Sequence, residues 1–156
     1  MSPFDQFVHR ATVEEIDRAF ALVSEYYEEA RVVAREDREQ FEKQYFAEGS
    51  GIWLAFADEA ATGCVALRRL ATRANCGEIK RMYVRPSERR KGIAASLLRA
   101  LERFAAEQNY AWLYLDTTDS MVAAARFYER NGYTQCERYN DNPQATLFMR
   151  KRIAQT

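Results

Sequence analysis

The chain has 156 residues, of which 47% are hydrophobic and 29% charged, so it can bury the core of one compact domain and is neither disordered nor fibrous. Its 23 Lys and Arg residues balance 23 Asp and Glu residues, which excludes a global field that would steer the chain to nucleic acid or an anionic membrane. We expect a single domain over residues 1–156.

The cysteine and histidine content argues against a disulfide framework and against a metal site. Cys64, Cys76 and Cys136 are widely spaced and odd in number, and His9 is the only histidine. We interpret the cysteines as small buried hydrophobic residues and expect no metal. The longest apolar runs, such as 110–115, are too short for a bilayer, and the first ten residues lack a signal-peptide pattern, so we expect a cytoplasmic protein with no membrane partner.

The first half of the chain predicts a strand, two helices and a hairpin. Residues 6–11 suit a short strand, and Thr12 with Glu15 has capping-box spacing at the start of a helix that ends near Ala30. The next elements are a charged helix closed by a glycine and two strands of a hairpin, at 35–49, 51–58 and 63–71.

The second half alternates strands and helices. A strand at 77–86 is stopped by Pro86, because proline cannot donate to a ladder, and a helix with apolar residues at helical spacing runs from Gly92 to about Gln108. A buried strand, a helix and two strands follow, at 110–118, 120–132, 133–140 and 145–152. The predicted order is β-α-α-β-β-β-α-β-α-β-β.

A strand, a short turn and a helix meet at RRKGIAASLL, residues 89–98. The first N–H groups of a helix have no intrahelical partner and carry partial positive charge, so they can bind a phosphate. Gly92 and Ala94 lack bulky side chains there. Three cations add charge: Arg89, Arg90 and Lys91. The stretch indicates an anion site, and the alternative is a capped helix with a solvated basic flank.

Two common phosphate loops are excluded, because neither G-x-G-x-x-G nor G-x-x-x-x-G-K-[ST] occurs. Residues 89–94 instead fit R/Q-x-x-G-x-G/A after a strand that ends in YV and a proline. This resembles the pyrophosphate-binding motif of the GNAT acyltransferase superfamily. Residues 78–117 followed by ARFYERNGY at 125–133 look like the central motifs of that family in the right order, and residues 6–152 fit its element order.

The resemblance implies a small bacterial-type N-acetyltransferase with the GNAT fold. This is an α/β (α+β) fold with a central, mixed, mostly antiparallel sheet of six to seven strands and about four helices. The donor would be acetyl-CoA, with its pyrophosphate at the helix after the motif and its pantetheine arm on a strand that splays from the next. Carried over by position, the residues that would bind it are Met82, Tyr83, Val84, Arg89, Arg90, Lys91, Gly92, Ile93, Ala94, Ala95, Ser96 and Tyr128.

The resemblance also implies three catalytic groups. Glu78 matches the base position of those members that use a glutamate on this strand, because an amine of pKa about 10.4 must lose a proton before it attacks. The alternative is an ion pair with Lys80 or Arg81. The Met82 N–H would donate to the carbonyl oxygen as charge develops there. Tyr128 matches the tyrosine beside the thioester sulfur and would protonate the thiolate; the alternative is an aromatic core residue.

One position departs from the family pattern. Many members have an asparagine seven residues before the tyrosine that corresponds to Tyr128, where it contacts the coenzyme, but this chain has Met121. That contact is either lost or supplied by Thr118, Asp119 or Ser120.

The acceptor groove of the family lies between the first two helices and the loop joining the last two strands. The predicted acceptor-binding residues there are Tyr27, Arg31, Arg81 and Tyr139. Arg81, Arg68 or Arg31 could hold a carboxylate through two hydrogen bonds, which would suit an amino acid or a similar amine. The bland alternative for residues 140–142 is a hairpin turn before Pro143, because Asn and Asp side chains bond to nearby backbone.

The predicted function is transfer of an acetyl group from acetyl-CoA to the primary amine of a small molecule, such as an amino acid or a polyamine, by direct attack in a ternary complex. The alternatives are a non-catalytic acyl-CoA sensor and transfer to a protein or peptide amine. A nucleic-acid contact patch built on Arg85 and the three cations at 89–91 is disfavoured by the zero net charge. By analogy with the family, a homodimer is an alternative to a monomer.

Overall fold

A computed structural model describes residues 3–154, which are arranged around one seven-stranded sheet. The elements in chain order are β1 (Val8–Arg10), α1 (Ile16–Ala30), α2 (Arg38–Tyr45), β2 (Gly51–Ala57), β3 (Ala60–Arg69), β4 (Cys76–Val84), α3 (Ile93–Glu107), β5 (Trp112–Thr117), α4 (Val122–Arg130), β6 (Thr134–Gln135) and β7 (Leu147–Arg152). The strand order is β1-β2-β3-β4-β5-β7-β6, and only the β4–β5 pair is parallel. No helix in this part of the chain is long and apolar enough to cross a membrane.

The predicted element order and the mixed, mostly antiparallel sheet are confirmed. The observed boundaries differ from the predicted ones by up to about three residues at most ends and by more at two of them. The helix α2 ends at Tyr45 rather than near residue 49, and β6 has two residues rather than the predicted eight. The segment after β6 forms a loop because the Arg138 guanidinium donates to the backbone carbonyls of Asn140, Asn142 and Ala145. These bonds curl the chain where a longer strand was expected.

Helices cover both faces of the sheet. On one face, α3 packs its buried leucines, among them Leu97 and Leu101, against Trp53 and Val65 of the sheet. On the other face, α1 and α2 pack against β2 and β3, with residues such as Leu22, Phe41 and Leu54 fully or almost fully buried. The predicted capping box of Thr12 and Glu15 is present ahead of α1. Burial on both faces explains the nearly continuous apolar character of β2 and β3.

The strands β4 and β5 separate after a short paired segment. Their parallel pairing runs from Cys76 opposite Trp112 to Glu78 opposite Tyr114. On the other side of β4, the register with β3 shifts at a bulge where Arg81 has a left-handed backbone, with φ 59°. A bulge bends its strand and increases the local twist. The second half of β4 therefore leaves β5, which is the splay that the family resemblance implies.

The packing of α3 makes a stability prediction. Leu101→Ala should lower the free energy of unfolding by about 2–5 kcal/mol, because the Leu101 side chain is fully buried and its loss leaves a cavity. Val33→Ala is the matched control, with a side chain 79% exposed and an expected change below ~0.5 kcal/mol. Urea denaturation followed by circular dichroism measures both, and equal losses would contradict the proposed core.

Candidate active site

A cavity of about 1160 Å³ opens where β4 and β5 separate. Its walls come from the second half of β4, the end of β5, the first turns of α3 and α4, the segment between α1 and α2, and the loop before β7. The predicted site residues that line it are Arg81, Met82, Tyr83, Val84, Arg89, Ala94 and Tyr128. The splay thus brings residues from the predicted donor and acceptor regions to one cavity.

The first turn of α3 supplies backbone donors at one end of this cavity. Gly92 precedes the helix with φ 91°, a left-handed conformation that glycine adopts without strain, and its carbonyl accepts from the Ser96 N–H. The N–H groups of Ile93, Ala94 and Ala95 precede that first helical bond and have no intrahelical partner. The side chains of Ile93 and Ser96 are buried in the protein, so Ile93 can meet a ligand only through its backbone, whereas the Ser96 N–H is already bonded to Gly92. Ala94 lines the cavity, and its methyl group leaves room for a phosphate at the helix start.

The three cations before Gly92 differ in their surroundings. The Arg89 guanidinium forms an ion pair with Glu29, and the Lys91 ammonium lies 2.8 Å from a carboxylate oxygen of Glu88. Arg90 is exposed, has a left-handed backbone, and forms no ion pair within residues 3–154. Arg90 is therefore the cation of this group whose charge no neighbouring carboxylate offsets.

The open edge of β4 forms the middle of the cavity wall. The β3–β4 ladder pairs Ala66 with Lys80 and Cys64 with Tyr83, which leaves Arg81 and Met82 outside it at the bulge. The Tyr83 hydroxyl turns toward α1 and donates to Glu25 at 3.3 Å. The side chain of Tyr83 thus serves packing, while Met82 and Val84 border the cavity beside it.

Tyr128 joins the hydrophobic core to the cavity. Its ring packs against Phe127 and Tyr133, and its residue is 6% exposed. Its hydroxyl makes no hydrogen bond to any described residue, although the residue lines the cavity. Burial, and to a smaller extent Tyr26, raises the pKa of Tyr128 well above its usual value. The hydroxyl therefore keeps its proton at neutral pH and is available as a donor.

The position that departs from the family pattern also borders the cavity. Met121 and Thr118 line it, and Met121 is 43% exposed. The hydroxyl groups of Thr118 and Ser120 are 2.8 Å apart and share a hydrogen bond. Of the three residues that could supply the missing contact, Thr118 is the one on the cavity wall.

Glu78 is completely buried and surrounded by donors. One carboxylate oxygen receives two contacts from the Arg68 guanidinium, from Nε at 2.8 Å and from a terminal nitrogen at 2.7 Å. The other oxygen accepts from the Tyr139 hydroxyl at 2.6 Å and from the Asn140 amide at 3.0 Å. An ionised carboxylate offers about four lone-pair sites, so these contacts use its full capacity.

The surroundings of Glu78 keep it ionised. Burial acts to raise the pKa of this carboxyl, but the charges of Lys80 and Arg68 and the hydrogen bonds from Tyr139 and Arg68 outweigh burial, so the pKa lies below its usual value. The sequence suggested Lys80 or Arg81 as the ion-pair partner. That suggestion was wrong, because Arg68 faces Glu78 across the β3–β4 ladder and occupies the place.

The four predicted acceptor-binding residues lie at different depths. Arg81 is on the cavity wall. Tyr27 lies behind it, with its ring centroid 5.0 Å from the guanidinium carbon of Arg81. Tyr139 borders an adjoining pocket of about 930 Å³ and is bonded to Glu78. Arg31 directly follows α1, is exposed, and does not line the cavity. The structure thus brings one of the four directly to the cavity.

Charged residues that sequence reasoning assigned no site role complete the cavity. The Lys80 side chain is 11% exposed, and its ammonium lies 3.9 Å from a carboxylate oxygen of Asp116, which accepts from the Asn140 amide at 2.6 Å. Glu36 pairs with Arg81 at 3.1 Å. The available signal was a charged residue inside an apolar strand, as at Lys80 and Asp116. No motif marks Glu36. Within residues 3–154, no group of three or more metal-ligating side chains is placed to hold an ion.

Comparison with known proteins agrees with this geometry. Residues 16–133 match the sequence model of the Acetyltransferase (GNAT) family, so the chain belongs to that family. A GNAT-family acetyltransferase from Staphylococcus aureus has the same fold, with a TM-score of 0.80 at 21% identity over 94% of this chain and 98% of the other. An N-acetylglutamate synthase from Neisseria gonorrhoeae, solved with coenzyme A and N-acetylglutamate, has a TM-score of 0.78 at 20% identity over 95% of this chain and 35% of its own.

Curated relatives are similar over part of their length. An uncharacterized N-acetyltransferase of Schizosaccharomyces pombe is 35% identical over 60% of this chain and 58% of its own length. Human N-acetylaspartate synthetase is 39% identical over 58% of this chain, but the match spans 30% of the synthetase.

The buried ion pair makes a second prediction. Arg68→Met should lower the free energy of unfolding at neutral pH by about 3 kcal/mol, because it leaves the Glu78 carboxylate buried without its cation. Because the pKa of Glu78 is lowered in the folded state, its stabilising contribution is present above its unfolded pKa of about 4.3 and is lost as the pH falls toward the folded value. The cost of Arg68→Met should therefore shrink from about pH 6 to about pH 3.

Denaturation across that pH range checks the prediction. Arg89→Met is the control, because it removes an exposed ion pair and should cost less than ~1 kcal/mol. Adding Glu78→Gln to Arg68→Met should restore part of the loss, since the two sites are coupled. Strict additivity of the two substitutions would show that the pair is not an energetic unit.

Proposed function

We propose that this protein transfers the acetyl group of acetyl-CoA to the primary amine of a small molecule within a ternary complex. The observation that carries the proposal is the meeting, at one cavity, of an open strand edge, an unpaired helix start and an unbonded tyrosine hydroxyl. These are the parts that an amine acetyltransferase requires. We also propose one domain over residues 1–156, because both hydrophobic clusters pack on the same sheet.

The donor end of the cavity suits coenzyme A. The backbone N–H groups at the start of α3 would hold its pyrophosphate, with Arg90 adding a positive charge. The exposed edge at Met82 and Val84 would pair with the pantetheine arm, since the backbone there has no partner on β5. Bound acetyl-CoA supplies an activated acetyl group, and the chain positions it beside the acceptor.

Two groups of the chain would act on the reacting atoms. The Met82 N–H would donate to the thioester carbonyl oxygen as negative charge develops there. The Tyr128 hydroxyl would donate to the sulfur as the thiolate leaves. Its raised pKa makes complete proton transfer less favourable but keeps the hydroxyl protonated through the neutral range, so its main contribution is a hydrogen bond.

Glu78 would accept the proton of the acceptor ammonium. It is ionised at neutral pH, as a base must be, but its carboxylate already meets four donors. To act, it must exchange one of them for the ammonium or for a bridging water. The Asn140 amide is the candidate for exchange, because at 3.0 Å it makes the longest of the four contacts.

The loop before β7, which covers part of the cavity, favours a small acceptor over a protein. Gln144, in the loop before β7, accepts from the Val33 N–H at 2.9 Å and donates to the Arg31 carbonyl at 3.2 Å. These two hydrogen bonds hold the loop against the segment between α1 and α2, and they limit the access of a large acceptor to the cavity on that side. A similar protein, N-acetylaspartate synthetase, is named for a small product, which supports the same choice.

The Tyr128 hydroxyl makes a kinetic prediction. Tyr128→Phe should lower kcat for acetyl transfer about a hundredfold and leave the Kd for acetyl-CoA nearly unchanged, because only the hydroxyl is lost. Tyr133→Phe is the matched control, since that hydroxyl is bonded to Glu102. Thiol release from acetyl-CoA with pooled primary amines measures kcat, and calorimetry measures binding. Undiminished turnover by Tyr128→Phe would remove the tyrosine from the mechanism.

The helix start makes a binding prediction. Ala94→Glu should weaken acetyl-CoA binding by tenfold or more, about 1.4 kcal/mol, because it places a negative, bulky group at the pyrophosphate position. Ala47→Glu introduces the same charge at an exposed residue and should leave the Kd unchanged. Calorimetric titration of both variants checks this. Equal affinity of the two variants would place the coenzyme elsewhere, and absence of binding to the parent protein would overturn the sensor alternative as well as the enzyme.

A further inference from the structure

Lys80 is a buried cation whose donors are unused. Its side chain is 11% exposed and lines the cavity, yet its ammonium makes no hydrogen bond to any residue in the described range 3–154. The nearest carboxylate oxygen, on Asp116, is 3.9 Å away, which is too far for a hydrogen bond. An ammonium that is largely removed from bulk water and has no acceptor in the protein favours an anion that reaches it through the cavity.

Arg81, the next residue, also has an unused donor. Its side chain is 9% exposed, and a terminal nitrogen donates to Glu36 at 3.1 Å. Its Nε is buried and has no hydrogen-bond partner in the structure. Most buried polar groups in proteins are satisfied, so an unpaired donor in a residue that lines the cavity calls for an explanation.

Two carboxylates near these cations, Glu36 on the cavity wall and Glu78 on the adjoining pocket, are in the opposite condition. Glu78 accepts contacts from Arg68, Tyr139 and Asn140. Glu36 accepts from Tyr27 at 2.7 Å, as well as from Arg81 and Tyr45. The protein thus satisfies Glu36 and Glu78 with its own donors, and the donors left unused at Lys80 and Arg81 belong to cations.

The charges around Lys80 also favour an anion at this place. Burial lowers the pKa of Lys80, and the nearby charges of Arg81 and Arg68 lower it further, although Glu78 and Asp116 act against this. An anion bound beside Lys80 would offset the burial and the repulsion. A second cation at the same place would add to them.

We propose that the acceptor is an amino carboxylic acid whose carboxylate binds to the Lys80 ammonium and the Arg81 Nε–H, which directs its amine toward the acetyl group. This deepens the proposed function and rests on it. The bulge places Lys80 and Arg81 directly before Met82, so the carboxylate site and the N–H at the thioester carbonyl belong to one short stretch of β4. A polyamine, with a cation at each end, has no group for these donors.

The test compares amino acids with their own amides. The panel consists of the common α-amino acids, β-alanine and γ-aminobutyrate, each beside its amide, which keeps the shape and the amine but lacks the negative charge of the carboxylate. Two readouts are used: the shift in melting temperature with coenzyme A present, which reports acceptor binding without turnover, and thiol release from acetyl-CoA. At least one acid should bind with a KM about 10- to 100-fold below that of its amide, because the amide cannot make charge-assisted hydrogen bonds.

Three variants locate the effect. Lys80→Met should raise the KM for the acid about 10- to 100-fold, with little change in kcat and little change for the amide. Lys80→Arg should keep the preference for the acid, because it keeps the cation. Arg103→Met, which removes an exposed positive charge from α3, should change nothing.

The outcomes are separable. If no acid in the panel binds or reacts better than its amide, the inference is overturned. If Lys80→Arg retains binding but loses kcat, Lys80 is a proton acceptor and not a carboxylate site, because a guanidinium cannot serve as a base. If coenzyme A binds and acids are preferred in the melting assay but no amine is acetylated, the proposed function fails while the carboxylate site stands.

Discussion

The separation of β4 from β5 is the constraint on which the rest of the site depends. Two parallel strands that stay paired leave no room between them, and here the pairing stops at Glu78. The bulge at Arg81 bends β4 away, and the left-handed backbone at that residue is tolerated because its side chain is held by Glu36 and by the Tyr27 ring. A side-chain network therefore stabilises the backbone distortion that opens the cavity.

That network runs around the acceptor half of the cavity. Arg81 pairs with Glu36, and Arg68 pairs with Glu78. The Gln44 amide links the two pairs, because its nitrogen donates to Glu36 and its oxygen accepts from Arg68. Buried charges of this kind add little net stability, because desolvation offsets their attraction. Their value here is geometric, since each partner holds the next in place. Removing one member leaves an unpaired buried charge, which lowers stability and also disturbs the shape of the cavity.

The fold could be predicted from the sequence to a large extent, because its signals are local. Apolar spacing, the capping box at Thr12 and the stop at Pro86 define elements without reference to distant residues. The failures arose where distant contacts decide. The strand β6 ends early because the Arg138 guanidinium donates to carbonyls of the loop that follows, and nothing in the sequence shows that a surface arginine will do so.

The candidate site shows the same division. Residues 89–94 predict the end of the cavity that would bind acetyl-CoA, because a helix start that binds phosphate needs a glycine and small residues at fixed spacing. The partner of Glu78 was misassigned because cross-strand register decides it, and a strand of charged residues does not reveal its register. Lys80 and Glu36 went unrecognised for a related reason. Burial, which makes their charges informative, is a property of the folded chain.

The two halves of the cavity are made of different material, and this bears on how such a protein can change over generations. The donor half consists mostly of peptide groups at the start of α3 and along β4, which every residue carries, so that beyond the small residues of the helix start it depends little on side-chain identity. The acceptor half consists of side chains from four separate segments, including the loop secured by Gln144. Amino-acid substitutions therefore leave the donor half largely intact and change the acceptor half. A lineage built this way can exchange one acceptor for another while it keeps the same acyl donor.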